Sequence, residues 1–298
     1  MEQHSASDVS GPAFVLGGGG ALGACEVGML KALFAAGVQP RMVLGTSVGA
    51  INGAAVAADP SPAAVGRLID LWTGLGRAGV FTGSVMARLT TAVRSRTHLY
   101  TPAPLLELLR THLPVTRIED LQVPFQCVAA SIEQAAEHWF TAGPLVEAVL
   151  ASSAVPGLLP PVAVDGEHFV DGGLVNSIPV GRAVALGARE IYVLQVGRIE
   201  QPLTPPRLPW QVATVSFEIA RRHRFARDMA DLPDHVTVHV LPTGATPGEA
   251  AASLGQLRHH AFGRTAQRIE RAYTASSRYL EALAARKDAA ATSADGSP

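Results

Sequence analysis

Ser47 sits at the centre of Gly45-Thr46-Ser47-Val48-Gly49, a G-x-S-x-G pattern of the kind that presents a serine as a nucleophile. Ahead of it, Met42-Val43-Leu44 is an apolar run that predicts a buried strand. Behind it, the small residues Ala50-Ile51-Asn52-Gly53-Ala54-Ala55 predict a tightly packed helix. A serine between the two is turned sharply at a helix N-terminus, where unpaired N–H groups and the helix dipole favour a developing anion. The flanking glycines leave room for neighbouring backbone.

A serine nucleophile needs a base. The chain has ten histidines, and in the order serine, acid, histidine the candidates are His223, His235, His239 and His259. None of them lies in a glycine-framed loop. Asp171-Gly172-Gly173 does: a carboxylate just after a strand, followed by two glycines, marks a place something must approach closely. A plain turn is the competing reading of that tripeptide.

Gly17-Gly18-Gly19-Gly20-Ala21-Leu22-Gly23 also carries two readings. Gly18, Gly20 and Gly23 satisfy G-x-G-x-x-G after a strand, which suggests a dinucleotide site. That site also needs an acidic residue about 20 positions on for the ribose, and no Asp or Glu occurs between Glu26 and Asp59. The other reading is a loop of bare backbone N–H groups facing an oxyanion, where each fixed donor is typically worth ~3 kcal/mol.

The elements that must position these groups follow from the hydrophobic pattern. Ala13 to Leu16 reads as a short strand entering the glycine loop. A helix from about Ala24 to Ala36 follows, apolar nearly all round and stopped at Gly37. Strand, helix, strand and helix in succession predict a parallel sheet. Leu68, Ile69, Leu71 and Trp72 mark one helical face, and Leu105, Leu106, Leu108 and Leu109 another. The Gly/Thr/Ser-rich section from Gly74 to Ser84 is either a cover over the site or a long connection. Phe125 to Ala130 and His138 to Phe140 read as neighbouring strands, and Leu145 to Ala151 as a helix. Val162-Ala163-Val164, Asp165-Gly166 and His168-Phe169-Val170 form a hairpin that delivers Asp171. A helix over Ile178–Leu186, a strand over Glu190–Val196, a helix over Trp210–Leu232 and a strand over Val236–Val240 complete the pattern. The Arg221, Arg222 and Arg224 cluster reads as a solvated face, with contact to a lipid headgroup as the alternative.

At 298 residues, 48% of them hydrophobic and 16% charged, the chain builds a large core, and its net charge of −1 gives no case for nucleic acid. Cys25 and Cys127 lie in apolar runs and read as core residues rather than a disulfide or metal pair. No H-x-x-H or carboxylate cluster stands at ligand spacing, so no metal and no cofactor is expected. The polar N-terminus shows no secretory h-region, and no apolar run reaches the ~18 residues of a membrane span. A cytoplasmic protein is expected, with a composition compatible with peripheral contact at a membrane. The chain divides into a disordered start (1–11), one hydrolase-like domain (12–245), a helical segment packed on it (246–287) and a disordered tail (288–298).

Taken in order, Gly17–Gly23, Gly45–Gly49 and Asp171–Gly173 resemble the three signature blocks of the patatin-like phospholipase family. Ala151 to Pro161 is similar to the segment that family carries upstream of its aspartate. The likeness extends over about Ala13 to Leu241. It implies a three-layer α/β/α fold with a mainly parallel central sheet, and a Ser–Asp dyad without histidine. By position, Ser47 is then the nucleophile, Asp171 the base, and the backbone N–H groups of Gly18, Gly19 and Gly20 the oxyanion hole. The implied substrate is a lipid ester. The chain departs from the family at Leu22, where an arginine or lysine is usual, and Arg41 and Arg182 are the substitutes that come to hand. Two other readings accompany this one: a catalytically weak lipid-binding protein that keeps the fold, and a histidine-dependent α/β-hydrolase.

Overall fold

The computed structural model describes residues 11–78, 97–196, 202–245 and 264–295. The start of the chain through residue 10, most of the Gly74–Ser84 section, His259 and residues 246–263 lie outside the described residues.

The apolar runs before the glycine loop and before Ser47 become β1 (Ala13–Leu16) and β2 (Met42–Thr46), paired in parallel with Leu16 opposite Gly45. Parallel pairing puts the two loops that follow these strands at the same edge of the sheet, the edge where such sheets place their ligands. The other strands are β3 (Phe125–Ser131), β4 (Ala136–Phe140), β5 (Val162–Val164), β6 (Glu167–Asp171), β7 (Glu190–Leu194) and β8 (Thr237–Val240). Their order is β5-β6-β3-β2-β1-β7-β8, with β4 also on β3. The sheet is parallel from β3 to β8 and antiparallel where β4, β5 and β6 join it.

The pairing of β3 decides the geometry of the site. β4 occupies one of its edges over Cys127–Ser131. On the other edge β2 pairs with Phe125–Val128 and β6 with Ala129–Ser131, so those two strands lie end to end. β2 runs parallel to β3 and finishes with Thr46 opposite Val128. β6 runs antiparallel and finishes with Asp171 opposite Ala129. Their C-terminal ends therefore meet head-on, and the residue after Thr46 is Ser47.

The sheet is covered on both faces, as its period-two burial requires. Phe14, Leu16 and Val43 point to one side, where α1 (Gly23–Ala35), α2 (Val48–Ala58), α3 (Pro62–Ala78), α4 (Ala103–His112) and α5 (Leu145–Ser152) pack. Ala13, Val15 and Leu44 point to the other, against α6 (Val180–Ala185) and α7 (Pro209–Ala230). This is the three-layer α/β/α arrangement. α1 is apolar nearly all round because it is sandwiched between the sheet and α8 (Thr265–Asp295). The two helices cross at Gly28, where a Cβ would stand 2.2 Å from the Ile269 carbonyl oxygen. α8 continues to Asp295, beyond the Lys287 boundary read from the sequence.

The arginine cluster of α7 differs from its reading as a solvated face. Arg221 is 3% exposed and pairs with the buried Glu218 at 3.3 Å, and Arg222 reaches the same carboxylate at 3.4 Å. Arg224 pairs with Asp228 and Glu137. Acidic residues three and four positions away on the helix draw Arg221 and Arg222 inward, while Arg224 stays more than a third exposed. Among the described residues no helix is long and apolar enough to cross a membrane.

Candidate active site

Ser47 stands between β2 and α2 with φ 56° and ψ −122°, a left-handed backbone that a residue with a side chain adopts only where its surroundings enforce it. Two close approaches enforce it here. A Cβ on Gly45 would meet the Gly49 carbonyl oxygen at 2.5 Å, and one on Gly49 would meet the Leu16 carbonyl oxygen at 2.3 Å. Both backbone groups of Ser47 are also held by side chains from α5 and the residue after it. Its N–H donates to Ser152 Oγ at 2.9 Å, and Ser152 donates in turn to the Val128 carbonyl at 2.6 Å. Its carbonyl accepts from Ser153 Oγ at 3.1 Å. Ser152→Ala leaves a buried donor and a buried acceptor unpaired, so a loss of about 1–3 kcal/mol in denaturant unfolding is expected, together with lower activity.

The head-on meeting of β2 and β6 brings Ser47 Oγ to Asp171 Oδ2, to which it donates at 2.6 Å. The other carboxyl oxygen, Oδ1, accepts from the Gly173 N–H at 2.7 Å. Gly172 lies so close to β3 that a Cβ there would fall 2.1 Å from the Val128 carbonyl oxygen. Burial pushes the Asp171 carboxyl up to about 6, against the opposing effect of its bonds to Ser47 and Gly173. The residues just after it tie the three loops together. Thr46 Oγ1 donates to the Asn176 carbonyl at 2.9 Å, and the Gly18 N–H donates to the Ser177 carbonyl at 3.0 Å. Sequence reasoning assigned no role to Ser152, Ser153, Asn176 and Ser177, because a serine at a helix end and serine and asparagine in loops carry no spacing signal of their own.

The glycine loop passes beside the nucleophile: a Cβ on Gly18 would lie 3.5 Å from Ser47 Cβ. Its N–H groups differ in what they are free to do. Gly17 donates to the Leu194 carbonyl and Gly18 to that of Ser177, each at 3.0 Å. Gly18 is therefore occupied. The N–H groups of Gly19 and Gly20 have no acceptor among the described residues. Leu22 packs against the apolar core.

Neither basic substitute read from the sequence stands at the loop. Arg41 lies against Gly11 at the start of β2, the opposite end of the sheet, and Arg182 donates to Gln126 while stacked on Trp139. A cation does reach the loop from α8, where Arg268 Nη1 donates to the Ala21 carbonyl at 3.4 Å.

No described histidine bonds to Ser47 or Asp171. His223 and His235 are exposed, and His239 is buried between Tyr279 and Glu190. Burial lowers its pKa.

A strand–serine–helix elbow and a facing carboxylate, set into a three-layer α/β/α frame, define a class of fold and site. The comparisons identify its family. A family model described as patatin-like phospholipase matches residues 14–184, and the chain belongs to that family. Lysophospholipase NTE1 of Mycosarcoma maydis is 33% identical over 201 residues, which cover 65% of this chain and 10% of that protein. The patatin-like phospholipase domain-containing protein ZK370.4 of Caenorhabditis elegans is 32% identical over 191 residues, covering 63% of this chain and 14% of that one. The chain thus spans a small part of the length of these curated relatives. Among solved structures, VipD from Legionella pneumophila has a TM-score of 0.45 at 16% identity, covering 91% of this chain and 67% of that chain.

Proposed function

We propose that the protein is a serine hydrolase of lipid carboxylic esters that works through a Ser47–Asp171 dyad. The observation that carries the reading is the 2.6 Å bond from the Ser47 hydroxyl to a buried carboxylate, which gives the nucleophile a proton acceptor. Asp171 takes the hydroxyl proton as Ser47 Oγ attacks the ester carbonyl. The negative charge that forms on the carbonyl oxygen is met by the Gly19 and Gly20 N–H groups. Asp171 then returns the proton to the departing alcohol, leaving an acyl-serine, and a water activated by the same carboxylate cleaves it. Membership of a phospholipase family and similarity to proteins named lysophospholipase support phospholipids and lysophospholipids as the substrate class.

A panel of p-nitrophenyl esters, lysophospholipids and diacyl phospholipids tests this, run beside the Ser47→Ala protein. Ser47-dependent turnover of at least one class is expected. A catalytically weak lipid-binding protein is the second reading, favoured by Leu22 at the loop. Covalent labelling of Ser47 by an organophosphonate ester separates the two, because a binding protein without an activated serine is not labelled.

A further inference from the structure

α1 carries an acid where an apolar helix has no evident use for one. Glu26 is completely buried, and no cation figures among the groups that act on it. Its Oε2 accepts from Asn52 Nδ2 at 2.7 Å. The same amide nitrogen donates to the Gly23 carbonyl at 3.1 Å, and Asn52 Oδ1 accepts from Trp72 Nε1 at 2.8 Å. An indole N–H only donates, so the Asn52 oxygen must face Trp72 and its NH2 must face Glu26. The direction of the chain of bonds is thereby fixed, and Glu26 is its final acceptor. Glu26 Oε1 has no partner.

The three residues come from three helices: Glu26 from α1, Asn52 from α2 and Trp72 from α3. They act on the end of one loop. Asn52 holds the carbonyl of Gly23, the last glycine. Gly23 is pressed on the Trp72 ring, where a Cβ would stand 2.6 Å from it. Asn52 lies on the helix that Ser47 opens. The network therefore joins the helix of the nucleophile to the loop that carries Gly19 and Gly20.

We propose that Glu26, acting through Asn52 and Trp72, is a positioning residue that sets the glycine loop at the distance from Ser47 needed to bind the oxyanion. This rests on the dyad reading and deepens it. Burial raises the pKa of Glu26 well above the ordinary carboxylate range, against the opposing effect of its bond from Asn52, which agrees with an acid that keeps its proton. A neutral acid accepts from Asn52 at one oxygen without placing a negative charge beneath a loop meant to stabilise one. The network touches no substrate atom. Its loss should therefore act on the transition state rather than on binding.

The test is a series of variants assayed on the best ester of the panel, with folding checked by thermal melt. Glu26→Leu should lower kcat by roughly 10²-fold with KM changed less than about threefold, the signature of a loop displaced by a fraction of an ångström. Glu26→Gln, which keeps a neutral acceptor of the same shape, should restore kcat to within a few-fold of wild type. Trp72→Phe removes the N–H that orients Asn52 together with part of the buried ring packed on Gly23. It should lower kcat by about tenfold at unchanged KM, and it serves if the leucine variant does not fold. Phosphonylation of Ser47 should slow in parallel with kcat. A leucine variant with wild-type kcat, a glutamine variant as impaired as leucine, or a loss carried by KM would each overturn the proposal. Failure of the dyad reading looks different, because the wild-type protein would then show no Ser47-dependent turnover.

Discussion

Replacing Ser47 by alanine or Asp171 by asparagine is expected to lower kcat/KM for an activated ester by roughly 10³-fold or more. The double variant should be no worse than the poorer single one. The two side chains share one hydrogen bond and act in one step, so removing either removes the function of both. Activity near the wild-type level in Asp171→Asn would exclude the aspartate as base. The pH profile alone does not make that distinction. With the carboxyl pushed up to about 6, the acid limb of kcat/KM falls close to the reference histidine value of ~6.5. Substitution separates the two bases, and alanine at His223, His235 or His239 should leave kcat/KM within about threefold of wild type.

The same asparagine substitution is expected to stabilise the fold. A carboxyl whose folded-state value is about 6 holds its proton more tightly than in the unfolded chain, where it titrates near ~3.9. Below about pH 4 both states are protonated and the wild type bears no penalty. As pH rises from about 4 to 6, the unfolded state releases its proton before the folded state does, and stability falls through that window before levelling off. Above it, the cost of the ionised buried group is on the order of 3 kcal/mol. An asparagine avoids the charge and fits the same bonds, its oxygen accepting from Gly173 and its NH2 donating to Ser47. Asp171→Asn should therefore melt several degrees higher than wild type at pH 8, with the gap closing by pH 4. A gap of equal size at both pH values, or a lower melting point at pH 8, would contradict a carboxylate destabilised by burial. Such a site trades stability for a base strong enough to act near neutrality.

Much of this was legible in the sequence, because the motifs are local. An apolar run, a G-x-S-x-G turn and a small-residue helix belong to one stretch of chain, and β1, β2, α1 and α2 form where their patterns place them. The Asp165-Gly166 turn likewise announces the hairpin of β5 and β6, with φ 49° and 87° at its two residues. What the sequence withholds is how distant pieces support one another. Ser152 and Ser153 hold the backbone of a residue more than 100 positions away. Hydroxyls that bond to backbone leave no periodic trace. The α7 arginines misled for a related reason: a charged run reads as solvent-facing until its acidic partners on β4 and on its own helix are known. The crowding of the glycine loop was equally hidden. Four identical residues in a row look equivalent, and only the folded chain distinguishes Gly18, whose N–H is committed to Ser177, from Gly19 and Gly20.

The collision of β2 and β6 along one edge of β3 has a consequence for how this reactive centre tolerates change. Ser47 and Asp171 are 124 positions apart, yet their separation in space is set by which residues of β3 each strand lies beside. Extra residues in the connections between them leave it untouched. A slip of β6 by a single position would carry the carboxylate about 3.4 Å along the sheet and turn it to the opposite face. The centre is thus indifferent to length and intolerant of slippage.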